Sequence, residues 1–374
     1  MGLPPPGTIR VGFTEKHGMS AELSQHPPPG VQYSFLQPLR PSAFLQSPIK
    51  GYMGHYETGE EDLIEAVLSP VRTRSSWVYS CENFVAAAAF NLLGCPVPRS
   101  LRVAYIKHLL MKDNCKKVMF WSLAGQRTLQ SYGGIDDERL LNKVTVVYPA
   151  IRTVPDNLIR LGHHDVSLLF SGDFFRKGGV NVVDAFERAQ TLFPSLTLTV
   201  CCDETIDFNT PNAALRSEYL DKLKRNRRII MRGRVTRHEF VENILPTTDI
   251  YLLPAYVEAF GFAILEAMAF GVPVISTNYF AIPEMIEHGI SGFLIDTSGF
   301  DCDRMFRGYV VDDIPAGFRS HVTETLFGYL RQLIESAELR QTFGMAGLAL
   351  VRKKFSFETR NRMMLDIYRE AVQS

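Results

Sequence analysis

Asp249-Ile-Tyr-Leu-Leu253-Pro254-Ala-Tyr-Val-Glu258-Ala-Phe-Gly261-Phe-Ala-Ile-Leu-Glu266-Ala-Met-Ala-Phe-Gly271-Val-Pro273-Val-Ile-Ser-Thr277 decides how the chain folds. Ile250 to Leu253 is a short run of strand formers closed by Pro254, which cannot donate to a ladder, so it reads as a buried strand. Gly261 supplies a tight turn, and Phe262 to Phe270 has the length and composition of a helix that stops at Gly271 and Pro273. Val272 to Thr277 reads as the next strand. Strand, glycine turn, helix and strand form a right-handed crossover, which puts Glu258 at the carboxyl edge of a parallel sheet, where such sheets bind ligands. The amides of Phe260, Gly261 and Phe262 open the helix without intrahelical acceptors and favour an anion such as a diphosphate. Glu258 in the loop and Glu266 one turn into the helix can accept hydrogen bonds from hydroxyls on two parts of one polyol.

Two isolated glutamates would normally be a turn residue and a solvated helix residue. Their setting differs here, because E-A-F-G-F-A-I-L-E-A-M-A-F-G-V-P-V-I-S-T resembles the signature of two glutamates separated by seven residues in retaining family 4 glycosyltransferases of the GT-B fold. The flanks fit as well: Leu253-Pro254 before it, then Ile282-Pro283-Glu284, Gly289 and Gly292-Phe-Leu294 after it. The resemblance is dense from Ser167 to Leu294, thin at the C-terminus and weak before Pro149. It implies two doubly wound, Rossmann-like α/β domains facing a cleft. Residues 1–155 would be the acceptor-side domain, 165–352 the nucleotide-sugar domain, and 353–374 a helix crossing back to the first.

Ser167 to Phe170 reads as a strand, followed by Ser171-Gly172-Asp173-Phe-Phe-Arg176-Lys177-Gly178-Gly179 and a helix from Val180 to Gln190. Lys177-Gly178 matches the family's lysine–glycine pair, whose lysine meets the donor diphosphate. Asp173 stands after Gly172 where the family has an arginine, so Arg176 is expected to take that role. Ile229 to Val235 resembles the strand and glycine turn beside the nucleobase, with backbone groups of Arg234 and Val235 reading the base edge. G-x-G-x-x-G does not occur, which removes the dinucleotide reading of these loops.

The first half carries fewer signals. Strands are expected at Ile9–Phe13, Val31–Phe35, Trp77–Ser80, Lys116–Ser122 and Val144–Tyr148, and helices at Leu63–Leu68, after Asn83, at Val103–Met111 and at Gln126–Tyr132. Members of the family usually carry two glycines after the first strand, near the donor phosphates. This chain has Lys16-His17-Gly18 with one, and His17 and Gly18 are assigned to the acceptor side. Many relatives hold a histidine near this place and none is present here, so Glu82 and Asn83 are the other acceptor-side candidates, with an ordinary helix-start carboxylate the stronger explanation for Glu82. Lys107, His108, Lys112, Lys116 and Lys117 form a basic edge that could meet an anionic or lipid-linked acceptor, although such an edge is more often only a solvated helix face.

Forty basic against forty acidic residues give no electrostatic case for nucleic-acid binding. Six cysteines without paired spacing and without a leader suit a reducing, cytoplasmic compartment. No apolar run reaches the roughly 20 residues needed to cross a bilayer, which leaves only peripheral membrane contact. The histidines show no metal spacing; His163 and His164 fall in a linker, and Asp301-Cys-Asp303 is a chance match to a metal-holding D-x-D.

The expected activity is transfer of a hexosyl-type group from a UDP-, GDP- or ADP-sugar to a glycan, lipid-linked or small-molecule acceptor. It proceeds with retention, without a cofactor or obligatory metal, as in polysaccharide or glycoconjugate synthesis. Glu258, Lys177 and Arg176 would act at the reacting centre, and Glu266, Phe260, Gly261, Phe262, Gly172, Arg234 and Val235 would bind the donor. The alternative is a nucleotide-sugar-binding protein that transfers nothing. A phosphorylase-like or epimerase relative is a third reading.

Overall fold

The computed structural model describes residues 7–16, 18–39, 44–48, 51–159, 166–300, 314–315 and 317–373. His17, His163, His164, Asp301 and Asp303 lie outside the described residues. The chain divides into two compact units, Met1–Ala150 with Phe357–Ser374, and Ile151–Ser356.

In the first unit, strands β1 (Ile9–Phe13), β2 (Val31–Phe35), β5 (Leu63–Val67), β6 (Trp77–Cys81), β9 (Cys115–Phe120) and β10 (Val144–Val146) form a parallel sheet in the order β10-β9-β6-β5-β1-β2. Helices α1 (Gly18–Gln25), α2 (Phe84–Ala87), α3 (Arg99–Met111), α4 (Leu123–Ser131) and α5 (Glu138–Leu141) connect these strands. A separate antiparallel sheet joins β3 (Leu45–Ser47), β4 (Gly51–Tyr52), β7 (Asn91–Leu92) and β8 (Cys95–Pro96).

Leu63–Val67 is a strand, not the helix its sequence suggests, and all five of its residues are buried. Its apolar run is too short for a stable helix but right for a strand covered on both faces. Glu65 is tolerated there because the Tyr368 hydroxyl donates to Oε2 and Arg360 lies nearby. Tyr368 and Arg360 belong to the C-terminal helix α12 (Phe357–Gln373), whose Met364, Ile367 and Ala371 pack with Val11, Leu63, Val78 and Met119 of the first sheet. Only a short connection follows β1, since α1 begins at Gly18.

The second unit has strands β11 (Ser167–Ser171), β12 (Thr197–Cys201), β13 (Ile229–Met231), β14 (Ile250–Leu253), β15 (Val274–Thr277) and β16 (Gly292–Ile295). They are parallel, in the order β13-β12-β11-β14-β15-β16. Helices α6 (Gly179–Leu192), α7 (Ala213–Arg225), α8 (Arg237–Glu239), α9 (Phe262–Ala269), α10 (Phe318–Glu335) and α11 (Ala337–Lys354) complete it. Burial on both faces explains the apolar text of β14 and the apolar residues Leu168, Leu169 and Phe170 of β11 and Val274 and Ile275 of β15. The order reverses between β11 and β14, whose residues pair Leu168↔Ile250 and Phe170↔Leu252. From that point one crossover leads to each side of the sheet, and the crevice between their loops is where a doubly wound sheet holds its ligand. Both units have the parallel α/β architecture of the GT-B fold.

Candidate functional site

Two loops leave adjacent carboxyl ends at the reversal, 172–178 after β11 and 254–261 after β14, and they are joined along their length. Tyr256 and Val257 both donate their amides to the Arg176 carbonyl, at 2.9 and 3.2 Å. The Lys177 ammonium donates to the Val257 carbonyl at 2.9 Å and to Glu258 Oε2 at 2.8 Å. Gly178 makes the approach possible. Its φ is +78°, and a Cβ there would stand 2.2 Å from the Pro254 carbonyl oxygen. Gly172, with φ +110°, lies under the Lys177 side chain, whose Cγ would be 3.1 Å from an added Cβ.

Gly261 caps α9 at φ +109°, and Glu258 Oε1 accepts from the Ala259 amide at 3.0 Å. Phe260 is buried and lies 5.1 Å from the Phe262 ring and 6.5 Å from Phe355, which fixes the helix start. This arrangement presents a cation, a carboxylate and the positive end of a helix dipole from two neighbouring turns.

A cavity of about 510 Å³ opens beside these loops. Its lining includes Gly172, Asp173, Asp203, Arg234, Val235 and Glu266. Glu266 is buried, and burial raises its pKa above the usual carboxylate range against the opposing pull of Arg237 and Arg152. Arg237 Nε donates to Glu266 Oε1. Arg234 pairs with Asp203 at 3.2 Å, and its guanidinium lies 5.9 Å from the Phe208 ring. The Asp203 carboxyl sits below its ordinary pKa, chiefly through hydrogen bonds from Thr205 and also through Arg234. Cys201 and Cys202 also border the cavity, and burial pushes their thiols up to about 11 and about 12, so neither is a ready nucleophile near neutral pH.

The structure thus places Gly172, Arg234, Val235 and Glu266 around one cavity, and Lys177, Glu258, Phe260, Gly261 and Phe262 on the paired loops beside it. Arg176 is half-buried and uses its carbonyl, not its guanidinium, to tie the loops. The position expected of the family's arginine is held by Asp173, which lines the cavity and accepts from Asn209.

Glu82 and Asn83 are buried in the first unit at the end of β6. Asn83 Oδ1 caps α2 by accepting from the Ala86 amide at 2.8 Å, while its Nδ2 has no hydrogen-bond partner among the described residues. Gly18 is the first residue of α1. No cluster of metal-ligating side chains occurs among the described residues, and no helix among them is long and apolar enough to cross a membrane.

Arg237, Asp203 and Phe208 are the additions that the sequence did not mark. Thr236 caps the helix start by accepting from the Glu239 amide, and that S/T-x-x-E pattern is legible. The reach of Arg237 to Glu266 across 29 residues of chain is not.

Residues 160–303 match the family described as "Glycosyl transferases group 1". Sucrose synthase 2 of Pisum sativum is 43% identical over 64 residues, which is 17% of this chain and 8% of the pea protein. The chain therefore aligns with only a small part of that relative. Among solved structures, Anabaena HepE in complex with UDP and glucose superposes with a TM-score of 0.59 at 17% identity, covering 96% of this chain and 90% of that one. Sucrose-phosphate synthase from Thermosynechococcus elongatus gives a TM-score of 0.61 at 13% identity, covering 97% and 98%. That matched stretch lies within the second unit, and the chain as a whole is similar in fold to these solved structures.

Proposed function

We propose that the protein is a retaining glycosyltransferase of family 4 that moves a hexosyl group from a nucleotide-sugar to an acceptor hydroxyl. The observation that carries this reading is the contact between Lys177 and Glu258 across two crossover loops, beside a cavity floored by the buried Glu266. The complex of Anabaena HepE with UDP and glucose supports a UDP-linked sugar as the first donor to test.

In the proposed reaction the bond from the anomeric carbon to the diphosphate breaks, and a bond to the acceptor oxygen forms on the same face. The acceptor's proton passes to the departing phosphate oxygen. Positive charge grows on the sugar ring and negative charge on the diphosphate, so groups already fixed against those charges lower the barrier. Lys177, Arg176 and the amides from Phe260 to Phe262 hold the leaving group. Glu258 orients the donor's hydroxyls, Glu266 accepts from the ribose, and Gly172, Arg234 and Val235 border the rest of the nucleotide. These cations and the helix start already balance the diphosphate, so neither an obligatory metal nor a cofactor is part of the proposal. Glu82, Asn83, His17 and Gly18 belong to the acceptor side, where a glycan, lipid-linked or small-molecule hydroxyl would bind. Free thiols at Cys95, Cys201 and Cys202 fit work in the cytoplasm.

A thermal-shift screen against UDP-, GDP- and ADP-sugars tests the donor, because a ligand held only by the folded chain raises its Tm. Release of nucleoside diphosphate, slow without acceptor and faster with it, tests transfer. A second reading, a nucleotide-sugar-binding protein without transfer, rests on Asp173 lining the cavity where the family carries an arginine. A donor that raises the Tm while no diphosphate is ever released favours that reading.

A further inference from the structure

The loop after β12 holds an aromatic ring in the open. Phe208 lines the cavity beside Arg234 and is 55% exposed, whereas Phe174 and Phe240, the other phenylalanines on that cavity, are buried. An exposed ring on a slack loop would mean little. This loop is tied at several points. Asp203 Oδ1 accepts from the Thr205 amide and hydroxyl at 3.0 and 2.9 Å, and the Thr210 hydroxyl is shared between the Ile206 and Asp207 carbonyls at 2.7 and 2.9 Å. Arg216 Nε donates to the Thr205 carbonyl at 3.0 Å. Ile206 and Asn209 carry left-handed φ of +46° and +51°, and Ile206 is buried. A β-branched residue takes that conformation only where its surroundings impose it, and such positions gather at ligand sites.

The neighbour of Phe208 supplies the last tie. Asn209 Nδ2 donates to Asp173 Oδ2, and Asp173 Oδ1 accepts from the Arg176 amide at 3.4 Å. Both oxygens of this carboxylate are thus engaged with protein groups, one on its own loop and one on the loop of Phe208. Asp173 stands where the resemblance places an arginine for the phosphates, and here it acts as a strut between two loops.

Position along the sheet edge says what the ring meets. β12 lies next to β11 and β13 beyond it, on the side away from β14. With strands roughly 4.8 Å apart, the Arg234 loop after β13 stands about 10 Å outward from the Lys177 loop, and the Phe208 loop lies between them. An offset of that size separates a diphosphate from the base of the same nucleotide. Glu258, assigned to the donor sugar, follows β14 on the opposite side of β11. The ring is therefore placed for the base and not for the sugar. A flat base stacks on a phenylalanine face whatever its edge groups are. The Arg234 guanidinium, 5.9 Å from the ring centroid and paired with Asp203, steadies the ring by cation–π attraction.

We propose that Phe208 is the platform on which the donor's nucleobase stacks, and that Asp173 positions it through Asn209. The inference rests on the nucleotide-sugar reading above and gives a role to the residue that replaces the family's arginine.

The test is calorimetric titration of the full chain with UDP, GDP and ADP, continued with whichever binds most tightly and with ribose 5-diphosphate, which lacks a base. Phe208→Ala should weaken the nucleotide about tenfold, the scale of one lost base–aromatic stack, and leave ribose 5-diphosphate unchanged. Phe208→Trp should bind the nucleotide at least as well as the parent. The native Trp77 and Trp121 are buried in the first unit, so the added indole reports separately. Its emission should be quenched by the nucleotide and not by ribose 5-diphosphate. Asp173→Ala should weaken the nucleotide by a factor similar to Phe208→Ala, and the two combined should lose no more than one, because both act on a single contact. Equal nucleotide affinity in the parent and Phe208→Ala overturns the platform and leaves the nucleotide-sugar reading standing, as does an equal loss for both ligands. Losses at Asp173 and Phe208 that add in full overturn the positioning role. A parent that binds none of the three nucleotides overturns the inference together with the reading it rests on.

Discussion

The Lys177 ammonium and the Glu258 carboxylate meet at 2.8 Å although 81 residues of chain separate them, and both are mostly shielded from solvent. Each group supplies the other's counter-charge until a ligand enters. A diphosphate would take the lysine, and a sugar hydroxyl the glutamate. Lys177→Ala is therefore expected to lower turnover of the nucleotide-sugar by about 100-fold, the scale of removing one charge-stabilising donor. It should cost about 1–3 kcal/mol of stability by leaving a half-buried carboxylate without its partner. Diphosphate release under single-turnover conditions and urea unfolding measure the two effects separately. Turnover and donor affinity equal to the parent's would refute the site assignment.

Glu266 gives a prediction whose sign depends on pH. Its pKa is raised in the fold, first by burial, so the native state binds its proton more tightly than the unfolded chain. The stability it contributes is full below the ordinary glutamate pKa and falls as pH rises through the higher folded value. Glu266→Gln should remove that part of the pH dependence and weaken donor affinity about tenfold. Glu65 shifts in the same direction but is present in both proteins, so the difference between their Tm–pH curves isolates Glu266. Parallel curves would show that the arginines, not burial, govern the carboxyl.

Gly178→Ala tests the join between the loops. An alanine must adopt a left-handed φ and place its Cβ within 2.2 Å of the Pro254 carbonyl, so the loops have to part. The expected cost exceeds about 2 kcal/mol, with loss of donor binding in whatever fraction remains folded. Gly94→Ala, at a site with nothing within 4 Å, bears the same conformational penalty without the collision and serves as the control.

Tyr368→Phe probes how the terminal helix is held. Its hydroxyl donates to Glu65 and lies 3.0 Å from that of Tyr33, while Arg360 approaches from the same helix. Removing the hydroxyl leaves a buried carboxylate in the middle of a strand, at a cost of about 1–3 kcal/mol. Amide exchange should rise along α12 and β5 together. Faster exchange in α12 alone would mean that apolar packing, not the tyrosine, couples them.

Sequence and structure agree best where one local rule suffices. β14 is an apolar run closed by Pro254, β11 is apolar between its terminal serines and is followed by Gly172, and α9 is apolar apart from Glu266 and lies between Gly261 and Gly271; Gly172, Gly178 and Gly261 mark the turns that bring the loops together. The text fails where a residue's partner is remote. Leu63–Val67 looks helical because Glu65 interrupts it, and the hydroxyl that makes that glutamate acceptable in a strand lies 303 positions away. The antiparallel sheet was not read at all, since its strands are two or three residues long and leave no alternation to detect. Arg237 is hidden for the same reason as Tyr368, because a capping pattern tells where a helix begins but not which carboxylate its first side chain will find.

The reversal of strand order between β11 and β14 also bears on how the protein assembles. Neither crossover alone offers both the ammonium and the carboxylate. The contact that unites them closes only after the intervening chain, with β12 and β13 included, has been laid down and the two strands have zipped. A small molecule that bridges the loops can therefore be retained only by chains past that closure. During refolding, nucleotide capture would report the completion of the sheet's centre rather than the arrival of its edges.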